Sequence, residues 1–369
     1  VDALIAEWDL CETDFILDPF AGAGTTILAA KLMSVPAVGY DLSPFATFVS
    51  NVKTRNYNGR RIVSVAEDVI ASVARMEFRI VRRQYPDLVR KALPNGILAT
   101  FEGIDGVIAG SEGTRAERDF LRLALIAIVP KYSRAVATGG WLKWVSKHTK
   151  KTSIVAAFER QVRLMIDDLA ECPRRTKGHW SANCVDARSL PDKDSTYTAI
   201  ITSPPYPNRH DYTRVFGVEL MFAFLDWEET RSLRYQSIHS HPEARPRRPH
   251  HEDYVMPRGL TSTLRKLRKA GLETKIVSML EGYFLDMHLC LRECQRVVAP
   301  GSPIAFVVGN AQYCGHPLPV DSYLARIGQT LGLQWEKTVA VRLRGNSAQQ
   351  MGRFGRKPSR ESIVIFRKA

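Results

Sequence analysis

The sequence is short of negative charge, short of cysteine, and without a long apolar run. Asp and Glu number 38 against 52 Lys and Arg, giving a formal net charge of +14 and a pI of about 9.6. That imbalance points to a polyanionic partner such as nucleic acid, and by itself it does not separate DNA from RNA or from a merely basic surface. Six cysteines with no close even spacing exclude a disulfide-stapled scaffold and fit a reducing, cytoplasmic setting. The densest apolar stretch, Phe120 to Val129, is half of a membrane span, so no membrane partner is expected. No charged-then-apolar leader opens the chain, which begins at Val1 rather than Met, as a fragment would.

What is present is a strand, turn and helix pattern at both ends of the chain. Phe15-Ile16-Leu17 is a short apolar run that stops at Asp18-Pro19. A glycine turn follows at Ala21-Gly22-Ala23-Gly24, and Thr25 to Met33 reads as a helix. Ala37 to Tyr40 is a second strand ending at Asp41. Ser43 and Pro44 then supply an N-cap and a first-turn proline for another helix. This is half of a nucleotide-binding α/β unit.

Residues 59–178 read differently, as a helical insertion. Helices are expected at 62–92 and 115–130, and apolar residues recur at helical spacing from Val155 to Leu169. Gly103, Gly106, Gly110 and Gly113 mark a loop between them. Strands return at Asn183-Cys184-Val185, ending at Asp186, and at Thr198 to Thr202, ahead of a helix over Thr213 to Leu225. Residues 226–274, rich in His, Arg and Pro, read as a long polar loop. A helix at 276–296, a strand at 304–308, a helix at 319–331 and a hairpin of strands at 335–343 and 362–367 complete the pattern. The expected organisation is a cofactor-binding half at 1–58, an insertion at 59–178 and a catalytic half at 179–369 interrupted by the polar segment.

Two segments carry chemistry. In Asp18-Pro19-Phe20-Ala21-Gly22-Ala23-Gly24-Thr25-Thr26 the glycines let a ligand approach the backbone, and the helix start offers N–H groups. Alone, such a segment reads equally well as a plain tight turn. Asp41, about 20 residues on, stands where a carboxylate grips ribose hydroxyls in Rossmann-type folds. The second segment, Thr202-Ser203-Pro204-Pro205-Tyr206, ends a strand on the side where open α/β sheets bind ligands. Its prolines fix φ and lack N–H groups, leaving carbonyls as acceptors on a rigid turn. Ser203 adds an oxygen and Tyr206 a flat ring, a set suited to an amino group on a planar base. The bland alternative is a proline turn that simply ends the strand.

Asp-Pro-Phe-x-Gly-x-Gly-Thr-Thr at 18–26 and Thr-Ser-Pro-Pro-Tyr at 202–206 resemble, in order and position, motifs I and IV of the amino-group DNA methyltransferases. The resemblance extends over roughly half the chain, both ends and residues 181–225, and leaves both insertions unmatched. It implies an α/β, Rossmann-like methyltransferase fold with a mostly parallel sheet and a C-terminal antiparallel hairpin. It implies S-adenosylmethionine held by Asp18, Pro19, Phe20, Ala21, Gly22, Gly24 and Thr25, with Asp41 on the ribose and Asp186 near the adenine. Only Val1 to Leu10 can supply the helix that such enzymes carry ahead of motif I. It implies methyl transfer to the exocyclic amine of a flipped base at Ser203, Pro204, Pro205 and Tyr206, with no metal and no covalent intermediate. Ring-carbon methylation would need a Pro-Cys nucleophile, and no Pro-Cys occurs.

Members with Ser at the first position of motif IV are more often cytosine-N4 enzymes, which favours cytosine here. An adenine-N6 enzyme, an RNA amino-methyltransferase of the same fold and a non-catalytic nucleic-acid-binding subunit stay open. DNA is the expected partner, and a cognate restriction endonuclease or another defence-system subunit is a further candidate. Basic runs at Arg79, Arg82, Arg83 and Arg90 (read as one helix), at Lys143, Lys147, Lys150 and Lys151 after Trp141 and Trp144, at Arg245 to Arg248, at Arg265 to Lys269 and at Arg353 to Arg360 are candidate phosphate contacts. The first insertion is the leading target-recognition region. The run after Tyr206 is either a lid or a helix cap made by Asp211 or Thr213. His239, His241, His250 and His251 lack the spacing of a zinc site and read as a solvated loop.

Overall fold

The apolar runs ending at Asp18, Asp41 and Thr202 all become strands of one sheet in the computed structural model. The structure describes every residue except 147–151, 173–177, 247–251, 345–351, 353–354 and 356–357. Lys147, Lys150, Lys151, Arg247, Arg248, His250, His251, Arg353, Arg356 and Lys357 therefore lie outside the described residues. In chain order the strands are β1 (Ile16–Asp18), β2 (Ala37–Asp41), β3 (Ala135–Thr138), β4 (Trp141–Trp144), β5 (Trp180–Cys184) and β6 (Ala199–Thr202). They continue with β7 (Pro303–Gly309), β8 (Ala311–Tyr313), β9 (His316–Leu318), β10 (Leu333–Arg344) and β11 (Ser359–Lys368).

The chain divides into two units, one of Val1–Thr47, Gly178–His210 and Arg234–Ala369, the other of Phe48–Lys177 and Asp211–Leu233. The first unit is built on a seven-stranded sheet in the order β10-β11-β7-β6-β1-β2-β5. Strands β5, β2, β1, β6 and β7 pair in parallel, and β11 runs antiparallel to both β7 and β10. This is the Rossmann-like methyltransferase arrangement expected from the motifs. All residues of β1 and β6 are buried, which is why their runs are continuously apolar rather than alternating. The helix Thr274–Val297 supports the sheet with Leu280, Tyr283, Phe284, Met287, Cys290 and Leu291, none of them measurably exposed. Each of the Leu, Phe and Met side chains contributes roughly 1.5–3 kcal/mol over its exposed state. A second cluster joins Ile27 and Ala30 of the helix Thr25–Leu32 to Ala37, Ile201 and Ala305. Gly39 is required there, because a Cβ would lie 2.4 Å from Ile27 Cδ1 and 2.6 Å from the Ala21 Cβ.

Strand order determines where a ligand can enter. From β1 the chain moves to β2 and β5 on one side, then returns to β6 and β7 on the other. The reversal makes a topological switch point between β1 and β6. The Asp18 and Ser203 loops leave the carboxyl ends of these two neighbouring strands.

The second unit is mostly helical. Helices Gly59–Arg75, Asn95–Ala109, Arg115–Ala127 and Thr152–Glu171 bury Val69, Phe101, Ile104, Leu121, Leu125 and Phe158. The Asn58 side chain accepts from Arg61 N–H at the first of these helices, and Thr114 with Glu117 forms a full capping box at the third. Among the described residues no helix is long and apolar enough to cross a membrane.

Four local expectations need correction. The helix expected over 62–92 stops at Arg75, and 76–86 is irregular before a short helix Asp87–Ala92. Glu102, from another helix, accepts the Arg82 and Arg83 N–H groups at 3.0 and 3.1 Å, replacing helical bonds. Arg79, Arg82, Arg83 and Arg90 therefore do not share a helix. Gly103 and Gly106 are not loop residues but lie inside the helix Asn95–Ala109, where the Phe78 ring occupies the space a Gly103 Cβ would take. The Thr213–Leu225 helix breaks at Phe216 into Tyr212–Val215 and Gly217–Ala223, with Asp211 capping the first through the Thr213 and Arg214 N–H groups. The polar segment 226–274 contains the helices Trp227–Gln236 and Leu260–Lys269, the latter anchored by buried Leu260, Leu264 and Leu267 at helical spacing within a cationic run.

Candidate functional site

The loop after β1 is organised around two carboxylates. Asp18, only 4% exposed, accepts the Thr202 hydroxyl at 2.6 Å and the Phe20 N–H at 3.0 Å on the same oxygen. Asp41 accepts Gly22 N–H at 3.0 Å on one oxygen and Ser43 N–H at 2.8 Å on the other. Ser43 Oγ also accepts Ala46 N–H at 3.4 Å, as the cap expected for its helix. Burial raises the Asp18 pKa to about 6 against the lowering effect of its donors, and the Asp41 charge adds to the rise. Burial likewise raises Asp41, against the hydrogen bonds from Ser43 and Gly22. The two acids thus lie under the amides of one loop, in surroundings that disfavour their charge. Above them Gly22 has a φ of +51° with open space where a Cβ would project. Gly24, with φ of +79°, starts the helix Thr25–Leu32, and no side chain caps it. Pro19 and Ala21 are buried, Phe20 is half-buried against the sheet core, and Thr25 is exposed.

The loop after β6 is anchored at several points along its length. Ser203 is exposed, and its hydroxyl donates to the Val307 carbonyl at 3.3 Å, so its oxygen can still accept. Pro204 is buried and Pro205 half-buried. The Tyr206 hydroxyl donates to Glu361 Oε1 at 2.7 Å, and Arg342 Nε pairs with the other Glu361 oxygen. The Tyr206 ring lies on the Gly309 backbone, where a Cβ would come within 2.8 Å of it. Tyr313 donates to the Pro207 carbonyl at 2.6 Å, and Arg209 N–H to the Ser240 carbonyl at 2.8 Å. The Thr202–Asp18 hydrogen bond joins this loop to the first.

Asp186 follows Val185, whose N–H donates to the Asp41 carbonyl at 3.2 Å, and it belongs to a charged cluster that sequence reasoning missed. Arg188 binds it through Nε at 2.9 Å and Nη2 at 2.7 Å. Arg188 also donates to the Asp286 carboxylate at 3.3 Å and the Gln236 carbonyl at 2.5 Å. Asp286, with no exposure, accepts from the His239 N–H at 2.9 Å and lies 2.8 Å from its Nδ1. His239 and His241 are thus largely buried rather than solvated, and His241 Nε2 lies 2.8 Å from Ser237 Oγ. The missed signal was an aspartate among Phe284, Leu285 and Met287 in an apolar helix, since a carboxylate on a buried face needs a cationic partner.

No family model matches the chain. The type II methyltransferase M.BsoBI of Geobacillus stearothermophilus is 27% identical over 426 residues, covering 100% of this chain and 82% of its own length. The type II methyltransferase M.AvaI of a Nostoc strain is 27% identical over 418 residues, covering 100% and 83%. The type II methyltransferase M.MjaII of Methanocaldococcus jannaschii is 33% identical over 57 residues, 15% of this chain and 11% of its own. Among solved structures, a methyltransferase dependent on S-adenosylmethionine from Methanosarcina mazei aligns over 99% of this chain and 96% of its own, at 9% identity and a TM-score of 0.35.

Proposed function

We propose that the chain, 27% identical to type II methyltransferases along its whole length, uses S-adenosylmethionine to methylate N4 of a cytosine flipped out of duplex DNA. The observation that carries this reading is the Thr202–Asp18 hydrogen bond at the switch point, which ties the Ser203–Tyr206 acceptors to the glycine loop. That loop suits the cofactor. Gly22 leaves room above the backbone, the helix start is uncapped, and two buried carboxylates match a molecule that carries ammonium and sulfonium charges and ribose hydroxyls.

When bound, S-adenosylmethionine supplies an electrophilic methyl group. The remaining work falls to the protein. Asp41 would hold the ribose hydroxyls, Asp18 and the loop amides would orient the rest, and Asp186 would contribute at the adenine end. The lone pair of an aromatic amine is delocalised into its ring. The Ser203 hydroxyl, whose proton is directed to Val307, and the Pro204 carbonyl would accept hydrogen bonds from the two amine N–H groups and so localise that lone pair on nitrogen. Tyr206 stacks on the flipped base. The rate gain is positioning and preorganised electrostatics. Ser203 favours cytosine, and the net charge of +14 with type II relatives favours DNA. A cognate restriction endonuclease acting at the same sequence belongs to the same proposal.

Mapping methylated bases in the DNA of a host expressing this chain tests the reading. N4-methylcytosine at one recurring sequence is expected. Methyladenine alone, or label only in RNA, overturns it.

Cofactor affinity is expected to depend on pH. Asp18 has a pKa raised to about 6, and a cationic ligand favours its ionised form. Below that value binding must first expel a proton, so affinity falls by about tenfold per pH unit. Titration calorimetry with S-adenosylmethionine should give a dissociation constant about tenfold weaker at pH 5 than on the plateau above pH 7. Asp18→Asn should bind more weakly and lose this dependence. An unchanged slope in the variant assigns the titration elsewhere.

A further inference from the structure

We propose that the β3–β4 ribbon, with the groove beside it, grips the sugar–phosphate backbone of duplex DNA, with Arg90, Lys91 and Arg134 on phosphates and Trp144 against the sugar edge. The inference rests on the function proposed above and names where that substrate is held. The groove has a volume of about 650 Å³, and its lining includes Arg90, Lys91, Pro94, Arg134 and Trp144. Asp87 pairs with Arg90 and lies 3.8 Å from Lys91. Three cations facing one carboxylate leave a positive excess, which complements a phosphate track.

The ribbon is a fixed frame rather than a loose loop. Arg134 N–H donates to the Ala92 carbonyl and Val145 N–H to the Arg134 carbonyl, each at 2.8 Å. Ser133 Oγ accepts the Ala135 N–H at 3.0 Å and donates to its carbonyl at 2.8 Å. Ala135 is opposite Trp144, and Leu142 packs on the helical core. Fixed in this way, the ribbon still presents Trp141 at 65% exposure and Trp144 at 51%. Two indoles in water within four residues mark a contact surface, because burying them in a core would be favourable. Alternation along β4 puts Trp141 and Lys143 on one face and Trp144 on the other. On the first face the Arg214 guanidinium lies over the Trp141 ring, 4.6 Å from its centroid. Both faces therefore combine a flat ring with cations. That chemistry meets a polyanion whose sugars present C–H groups to an aromatic ring beside each phosphate.

The test is binding of a labelled duplex carrying the mapped methylation site, measured over a series of salt concentrations. Arg90→Gln, Lys91→Gln and Arg134→Gln should each lower the slope of log affinity against log salt by about 1. Trp144→Ala should weaken binding about tenfold or more with an unchanged slope, and Trp144→Phe should recover most of it. Calorimetric affinity for S-adenosylmethionine and the melting midpoint should match the parent throughout, which excludes misfolding. Parental slopes in all three cation variants, with a parent that binds duplex, overturn the ribbon assignment alone. A parent that binds S-adenosylmethionine but no duplex overturns the function it rests on. Equal competition by RNA of the same sequence, with the same sensitivity to the variants, overturns DNA as the occupant.

Discussion

Arg188→Met should destabilise the sheet unit by about 3–5 kcal/mol, the range for removing one partner of a buried ion pair. The Arg188 side chain is 1% exposed and bridges two carboxylates from distant parts of the sequence. Asp186, at 32%, can be rehydrated once the guanidinium is gone. Asp286, at 0%, cannot, and its negative charge would stay in the core without the guanidinium that faces it. The double variant Arg188→Met with Asp286→Asn removes that stranded charge while its amide oxygen still accepts the His239 N–H. It should regain a substantial part of the loss. Denaturant unfolding with an unchanged slope measures both. A double variant no more stable than the single one would show that packing of the Arg188 stem, not charge, is what the site needs.

Tyr206→Ala should reduce the single-turnover rate of methyl transfer by about 10²–10³-fold, with the affinity for S-adenosylmethionine within twofold of the parent. This variant removes the stacking surface and also the tie to Glu361, so the acceptors at Ser203 and Pro204 lose their positioning. Tyr206→Phe separates the two effects. It keeps the ring and leaves Glu361 paired with Arg342, so less than about tenfold should be lost. Ser203→Ala removes one acceptor and should cost about 10²-fold, near the effect of deleting one preorganised hydrogen-bonding group in an active site. Equal rates for Tyr206→Ala and the parent would refute stacking as its role.

The parts of the fold that were legible in the sequence are those made by neighbours in the chain. Strand ends at Asp18, Asp41 and Thr202, the Ser43 cap and the Asp211 cap each follow from residues within a few positions. The parts that were not legible are set by partners far away. Gly103 and Gly106 read as a loop because glycine disfavours helices by about 1 kcal/mol each. The Phe78 ring packed on Gly103 is a tertiary contact with no local trace. Residues 76–86 carry no helix breaker before Pro86, and Glu102 takes their N–H groups from another helix. The site shows the same division. Its motifs could be read directly, but the ties that position them, Arg188 to Asp286 across 98 residues and Tyr206 to Glu361 across 155, could not. Nothing in the local pattern at Glu361 marks it, since a lone acid on a closing strand is ordinarily a solvated edge residue.

The place of β11 in the sheet has a consequence for how the protein is made. This strand lies between β7 and β10 and carries Glu361, the partner of the Tyr206 hydroxyl. A ribosome delivers β1, β2 and β6 long before it reaches Ser359–Lys368, and it adds only about 5–20 residues per second. Until β11 emerges and inserts, β7 presents an open edge and Tyr206 has no anchor. A nascent or prematurely terminated chain can therefore hold both sequence motifs and still lack an assembled site. The Tyr206 loop gains its full set of anchors only once this strand has been made.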